Sequence, residues 1–143
     1  MWLVYVVCEY IDYTGEITIL DEEIPYLAGE ILPEGIDEKY DKYEISDVKE
    51  PIYNHCIRAI EKSLDFGENG LPKIGSGDWN DGLNTVGNNK KGESVWLGFF
   101  LYNILDRFTK ICGIKKDDKR IKEYEEVKQK LKKALNTNGW DGR

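Results

Sequence analysis

The sequence predicts an all-α domain built from layered helical hairpins. Apolar residues recur at three- and four-residue intervals in each well-patterned segment, and no stretch carries the alternation of a half-buried strand. Helices apolar nearly all round also alternate with helices apolar on one face, as an inner layer and an outer layer would require.

The first apolar stripe, Trp2, Leu3, Tyr5, Val6 and Val7, has no capping residue ahead of it, and Thr14-Gly15 reads as the stop of its helix. A short helix is expected around Ile17 to Leu27. Residues 28–45, polar and acidic with Pro33 and Gly35, read as a surface loop. Asp47 with Glu50 three residues later forms a capping-box pattern, and Pro51 suits a first helical turn. The helix expected there carries Ile52, Tyr53, Cys56, Ile57, Ile60 and Leu64 on one face and ends near Gly67. Its His55, the sole histidine, is read as a packing residue. Ser94 caps another helix, which runs to Cys112 with Gly113 as its stop. The first half of that helix, Val95 to Leu101, is apolar nearly all round and is expected to be buried on most sides. The last helix starts at Asp117 or Asp118. It buries Ile121, Tyr124, Val127, Leu131 and Leu135, and its other face is lysine-rich and solvated. The uncapped start and the ending at Trp140-Asp141-Gly142-Arg143 together suggest an excerpt of a larger fold.

A chain of 143 residues suffices for one domain with a core. Its 27 acidic residues outnumber 20 basic ones, for a net charge of -7. Polyanion binding draws its affinity from basic residues, so this balance argues against nucleic acid and is compatible with a neutral sugar. Cys8, Cys56 and Cys112 are odd in number, widely spaced and set among apolar residues. They read as free, buried thiols of a reducing compartment. The opening residues lack the basic region of a secretory leader, and no run approaches the roughly 18 apolar residues of a membrane helix. A cytoplasmic location is expected.

Residues 67–92 hold seven of the fourteen glycines and no clear periodicity. Such a stretch inside a compact domain is usually functional or disordered. Leu71, Ile74, Trp79, Leu83 and Val86 supply too many apolar anchors for a linker, so an ordered, folded-over loop is expected. At its centre Gly75-Ser76-Gly77-Asp78-Trp79-Asn80-Asp81-Gly82 gathers two carboxylates, an amide and a large ring among glycines. Glycine permits close backbone approach, the ring can cover the C–H face of a sugar, and the polar groups can bond its hydroxyls. The same residues also organise turns, which is the plainer reading. Other motifs fail on spacing. A calcium loop begun at Asp78 would have its glycine at the wrong place and Asn89 where a glutamate belongs. A phosphate loop would need Gly-Lys-Ser/Thr. A dinucleotide fingerprint would need glycine where Asn80 stands, and a nucleophile elbow glycine where Ile74 stands.

Gly70-Leu71-Pro72, Gly77-Asp78-Trp79-Asn80-Asp81-Gly82 and Gly92-Glu93-Ser94-Val95-Trp96-Leu97-Gly98 closely resemble the glycoside phosphorylases related to cellobiose phosphorylase. The phosphorylase-like domains of cyclic β-1,2-glucan synthases look at least as close. Trp2 to Leu20, Tyr53-Asn54-His55-Cys56 and Trp140-Asp141-Gly142 extend the resemblance along nearly the whole chain. It implies that residues 1–143 are part of a catalytic (α/α)6 barrel, incomplete here, with the active-site loop at about 67–93. It also implies that Asp81 is the general acid and that Trp79 lines the donor subsite. Asp78, Asn80 and Glu93 match family positions near the site.

The resemblance further implies inverting phosphorolysis of a β-linked glucoside or gluco-oligosaccharide. Inorganic phosphate is the co-substrate and there is no cofactor or metal. An inverting hydrolase needs an acid for the leaving oxygen and a base for water, whereas phosphate is already an anionic nucleophile. Asp81, kept protonated by burial or by Asp78, would therefore suffice as acid. The implied partners are the remainder of the barrel and, since such phosphorylases are often dimers, a second copy of the full enzyme. Lys73, Lys90 and Lys91 form no pattern specific for phosphate. Two other readings stay open: an inverting hydrolase with Glu93 or an outside residue as base, and a non-catalytic helical module that binds glycan or a partner.

Overall fold

The computed structural model describes residues 1–31, 33, 36, 39–75, 85–87, 89 and 91–142. Four helices carry the core: α1 (Trp2–Thr14), α2 (Ile52–Ser63), α3 (Val95–Ile114) and α4 (Asp118–Thr137). A two-stranded antiparallel sheet, β1 (Glu23–Ala28) with β2 (Glu44–Pro51), lies between α1 and α2 in sequence.

Helix α1 ends as its sequence predicts. Gly15 takes the left-handed conformation (φ 72°), and its N–H donates to the Ile11 carbonyl. The apolar stripe Val4, Val7, Cys8 and Ile11 packs with Tyr53, Cys56, Ile57 and Ile60 of α2 and with Leu101, Ile104, Leu105 and Phe108 of α3 in one cluster. Full burial of a large apolar side chain stabilises by about 1.5–3 kcal/mol, so this junction dominates the fold's stability. The three-residue link from Ile114 to Asp118 returns α4 alongside α3, closing the cluster with Tyr124, Leu131 and Leu135. Among the described residues, no helix is long and apolar enough to cross a membrane.

Several sequence expectations need correction. Residues 17–27 are not one helix. A short 3-10 turn spans Ile17–Asp21, and the chain then extends into β1, where Pro25 could not have donated an interior helical bond. The 28–45 loop is shorter at its far end, because β2 starts at Glu44. Asp47 and Glu50 lie on β2 rather than at a cap. The first amide of α2, on Ile52, instead donates to the Glu22 carbonyl (2.9 Å), so cross-strand pairing has displaced the capping box. Helix α2 stops at Ser63 rather than near Gly67. Gly113 does not end α3; the chain turns at Lys116, whose φ is 56°. Trp96 and Phe99 are exposed rather than buried, and on the lysine-rich side of α4 Lys128 is buried. Ser94 does cap α3, accepting from the Leu97 N–H (3.1 Å), and Asp117 caps α4 through the Arg120 N–H (3.2 Å).

Candidate active-site loop

The chain leaving α2 makes a tight turn before the glycine-rich segment. Gly67 N–H donates to the Leu71 carbonyl (2.9 Å), Gly70 N–H donates to the Gly67 carbonyl (3.1 Å), and Phe66 bridges Pro72. Gly70 has φ 73°, a conformation that costs glycine little. The turn is anchored from both sides. Leu71 is buried in the core, and the Asn138 side-chain amide beyond α4 donates to the Asn69 carbonyl (2.8 Å).

Two short backbone stretches then close a neck. Lys73 pairs antiparallel with Glu93, Ile74 N–H donates to the Gly92 carbonyl and Ser94 N–H to the Pro72 carbonyl, both at 2.9 Å. Glycine is required here for approach: a Cβ on Gly87 would fall on the Gly75 carbonyl. The ends of the 75–92 segment are thus held together directly before α3 begins.

Glu93 is the polar centre of the neck. One carboxylate oxygen accepts from the Asn69 backbone N–H (2.9 Å) and side-chain amide (3.1 Å), and the other accepts from the Leu71 N–H (2.9 Å). A Cβ on Gly67 would overlap this carboxyl. Outside it opens a cleft of about 540 Å³ whose lining includes Phe66, Asn69, Glu93, Lys73 and Lys91. Two loop lysines therefore share one cleft, with Lys73 paired to Asp65 (2.8 Å). Of the predicted site residues, only Glu93 lies within the described structure. Asp78, Trp79, Asn80 and Asp81 fall outside the described residues, as do Leu83 and Lys90. Ile74 is buried as an anchor should be, whereas Val86 is exposed.

The catalytic-domain family described as "Glycosyl hydrolase 94 superfamily, catalytic domain" matches residues 1–143. The chain belongs to this family. It is 41% identical over 143 residues to the cyclic beta-(1,2)-glucan synthase NdvB of Rhizobium meliloti, covering 99% of this chain and 5% of that protein. It is 33% identical to the solabiose phosphorylase of Paenibacillus borealis and 28% identical to the N,N'-diacetylchitobiose phosphorylase of Vibrio proteolyticus. Those alignments cover 99% of this chain and 16% and 15% of those proteins. The chain thus spans less than a fifth of each of these relatives.

Elsewhere in this glycosyl hydrolase 94 chain, His55 packs as its sequence position predicts. Its Nε2–H donates to the Ile24 carbonyl (3.0 Å), and its ring stacks on Tyr26 with centroids 3.9 Å apart. The charged group beside it was not legible from local pattern. Arg58 forks onto Glu50 (2.8 and 2.9 Å), and the Tyr26 hydroxyl donates to the same carboxylate (2.5 Å). Together, the Arg58 fork and then the Tyr26 hydroxyl hold the Glu50 carboxyl down at about 2. These residues join two strands and a helix, so no short spacing marks them. The three cysteines are free and buried, and burial pushes Cys8 to about 11 and Cys56 to about 12. Held protonated, they are packing groups rather than nucleophiles.

Proposed function

We propose that this chain supplies the general acid of an inverting glycoside phosphorylase. The observation that carries the reading is alignment along 99% of the chain with proteins named as phosphorylases. The Asp-Trp-Asn-Asp run at 78–81 and its glycine setting support it at the level of residues. Asp81 protonates the glycosidic oxygen, and phosphate attacks the anomeric carbon from the opposite face. The bond to the leaving sugar breaks with its electron pair on the newly protonated oxygen. A β-linked glucoside then gives α-glucose 1-phosphate, and Asp81 is left as carboxylate. Trp79 covers the sugar face in the donor subsite, with Asp78 and Asn80 beside it. Glu93 stands at the edge of the same region. Phosphate is the co-substrate, and no metal or cofactor takes part.

The reading also calls for the remaining hairpins of an (α/α)6 barrel around residues 1–143, and for the full enzyme to pair with a second copy. Its free thiols suit the cytoplasm. The 41% identity to a cyclic glucan synthase favours a second setting, in which the same chemistry serves inside a glucan-forming enzyme.

The test is to incubate the intact protein with β-linked gluco-oligosaccharides and phosphate and to follow sugar phosphate. Asp81→Asn is expected to lower the rate by about 10²–10⁴-fold, the usual worth of a general acid. A full rate in that variant overturns the assignment of Asp81. Release of free sugar without phosphate transfers the reading to a hydrolase. Glycan binding without turnover, indifferent to Asp81→Asn, transfers it to a binding module.

A further inference from the structure

We infer that Glu93 is a positioning residue, whose carboxylate fixes the base of the 75–92 segment so that the acid it carries meets the glycosidic oxygen. The inference rests on the reading of Asp81 as the general acid. Glu93 borders the cleft and could be taken for a sugar ligand or for the base of a hydrolase. Its hydrogen bonds point elsewhere: both carboxylate oxygens are committed to donors on residues 69 and 71. A base needs acceptor capacity for a bound water, and three of the carboxylate's roughly four acceptor sites are already taken by the chain.

What the carboxylate holds explains its use. The 69–71 backbone is fixed to the core through Leu71 and to the end of α4 through Asn138. Glu93 is also one half of the antiparallel bridge with Lys73 and stands beside the α3 cap, Ser94. Its side chain therefore ties the segment's exit to an anchored turn, while its backbone ties the exit to the segment's entrance. Gly67 is part of the same device, since only a residue without a side chain leaves the carboxyl its place. Displacement of about 1 Å at a reacting group can cost about 10²-fold in rate, so a loosened neck should register in turnover.

The test uses the intact protein with Glu93→Gln, which keeps shape but presents an amide N–H₂ where a carboxylate oxygen accepted. Hydrogen exchange at the Asn69 or Leu71 amide is expected to rise by about tenfold or more, since bonds to charged acceptors are strong. The kcat for phosphorolysis is expected to fall by roughly 10–100-fold, with KM for the sugar within about twofold. Gly67→Ala, which changes no charge, should give the same kcat loss. The double variant should cost no more than the worse single one, because both act through one contact. Unchanged exchange at both amides overturns the inference, as does raised exchange with unchanged kcat. A raised KM with kcat intact makes Glu93 a sugar ligand instead and also overturns it. The amide measurement does not depend on Asp81. Full activity of Asp81→Asn would therefore remove the assigned acid while leaving the clamp itself testable.

Discussion

Glu50 shows how a single residue ties acid stability to the joint between sheet and helix. Its folded pKa, about 2, lies below the roughly 4.3 of an unfolded glutamate. The carboxylate therefore contributes stability in full above about pH 4.3, and the contribution is lost as pH falls toward 2. Arg58 is more than half exposed, so solvent screening keeps the effect modest. Glu50→Gln is expected to be less stable than the parent near pH 7, with the gap closing below about pH 3. Urea denaturation of both proteins across that range checks it, and a gap that stays constant would remove Glu50 from the account. Nothing in the local sequence announces this group. Read on its own, Glu50 fits a capping box, and only the pairing of Glu22 with Ile52 frees it for Arg58.

At the scale of elements, legibility followed the range of the interactions. The four main helices were readable because their signals are local: apolar spacing, Gly15 in the left-handed region, and Ser94 and Asp117 as caps. The β1–β2 pair was not, because Glu23 faces Pro51 and Ile24 faces Glu50 across more than twenty residues. Neither strand alternates cleanly, since much of the hairpin stands in solvent. The end of α3 misled differently. Gly113 has open space around it and stays helical, while Lys116 takes the left-handed turn and its N–H closes on the Gly113 carbonyl (3.1 Å). A non-glycine residue there costs about 1–2 kcal/mol, against roughly 0.5–1 for the extra freedom glycine brings to the unfolded chain. Lys116→Gly should therefore raise stability by about 0.5–1 kcal/mol, read as a higher denaturation midpoint at unchanged slope. A lower midpoint would mean that the lysine side chain contributes more than its backbone costs. In the candidate site, the glycines and the Asp-Trp-Asn-Asp run were plain in sequence. The closure of the neck by Glu93 was not, because it depends on contacts 22 and 24 residues apart.

Across the whole molecule, α1 is apolar on two sides. Val4, Val7, Cys8 and Ile11 face the core, while Trp2, Val6, Tyr10 and Tyr13 remain exposed at helical spacing. The exposed stripe continues onto α3, where Trp96 lies 6.4 Å from Trp2 between ring centroids and Phe99 is 62% exposed. Contiguous apolar surface of this kind drives association. The 143-residue chain in isolation is expected to sediment as concentration-dependent assemblies, and Val6→Lys with Phe99→Lys should shift it toward monomer without loss of helicity. A strictly monomeric parent would show that this face is tolerated in water. The neck at 73–75 and 92–94 works at the same scale. Its backbone bonds, with Gly87 packed against the Gly75 carbonyl, bring the segment's two ends to one place directly before α3. Doubling a flexible loop costs only about 0.6 kcal/mol in closure entropy. The two ends of the 75–92 segment thus form a socket, and residues inserted beyond it are expected to leave the four helices as they are.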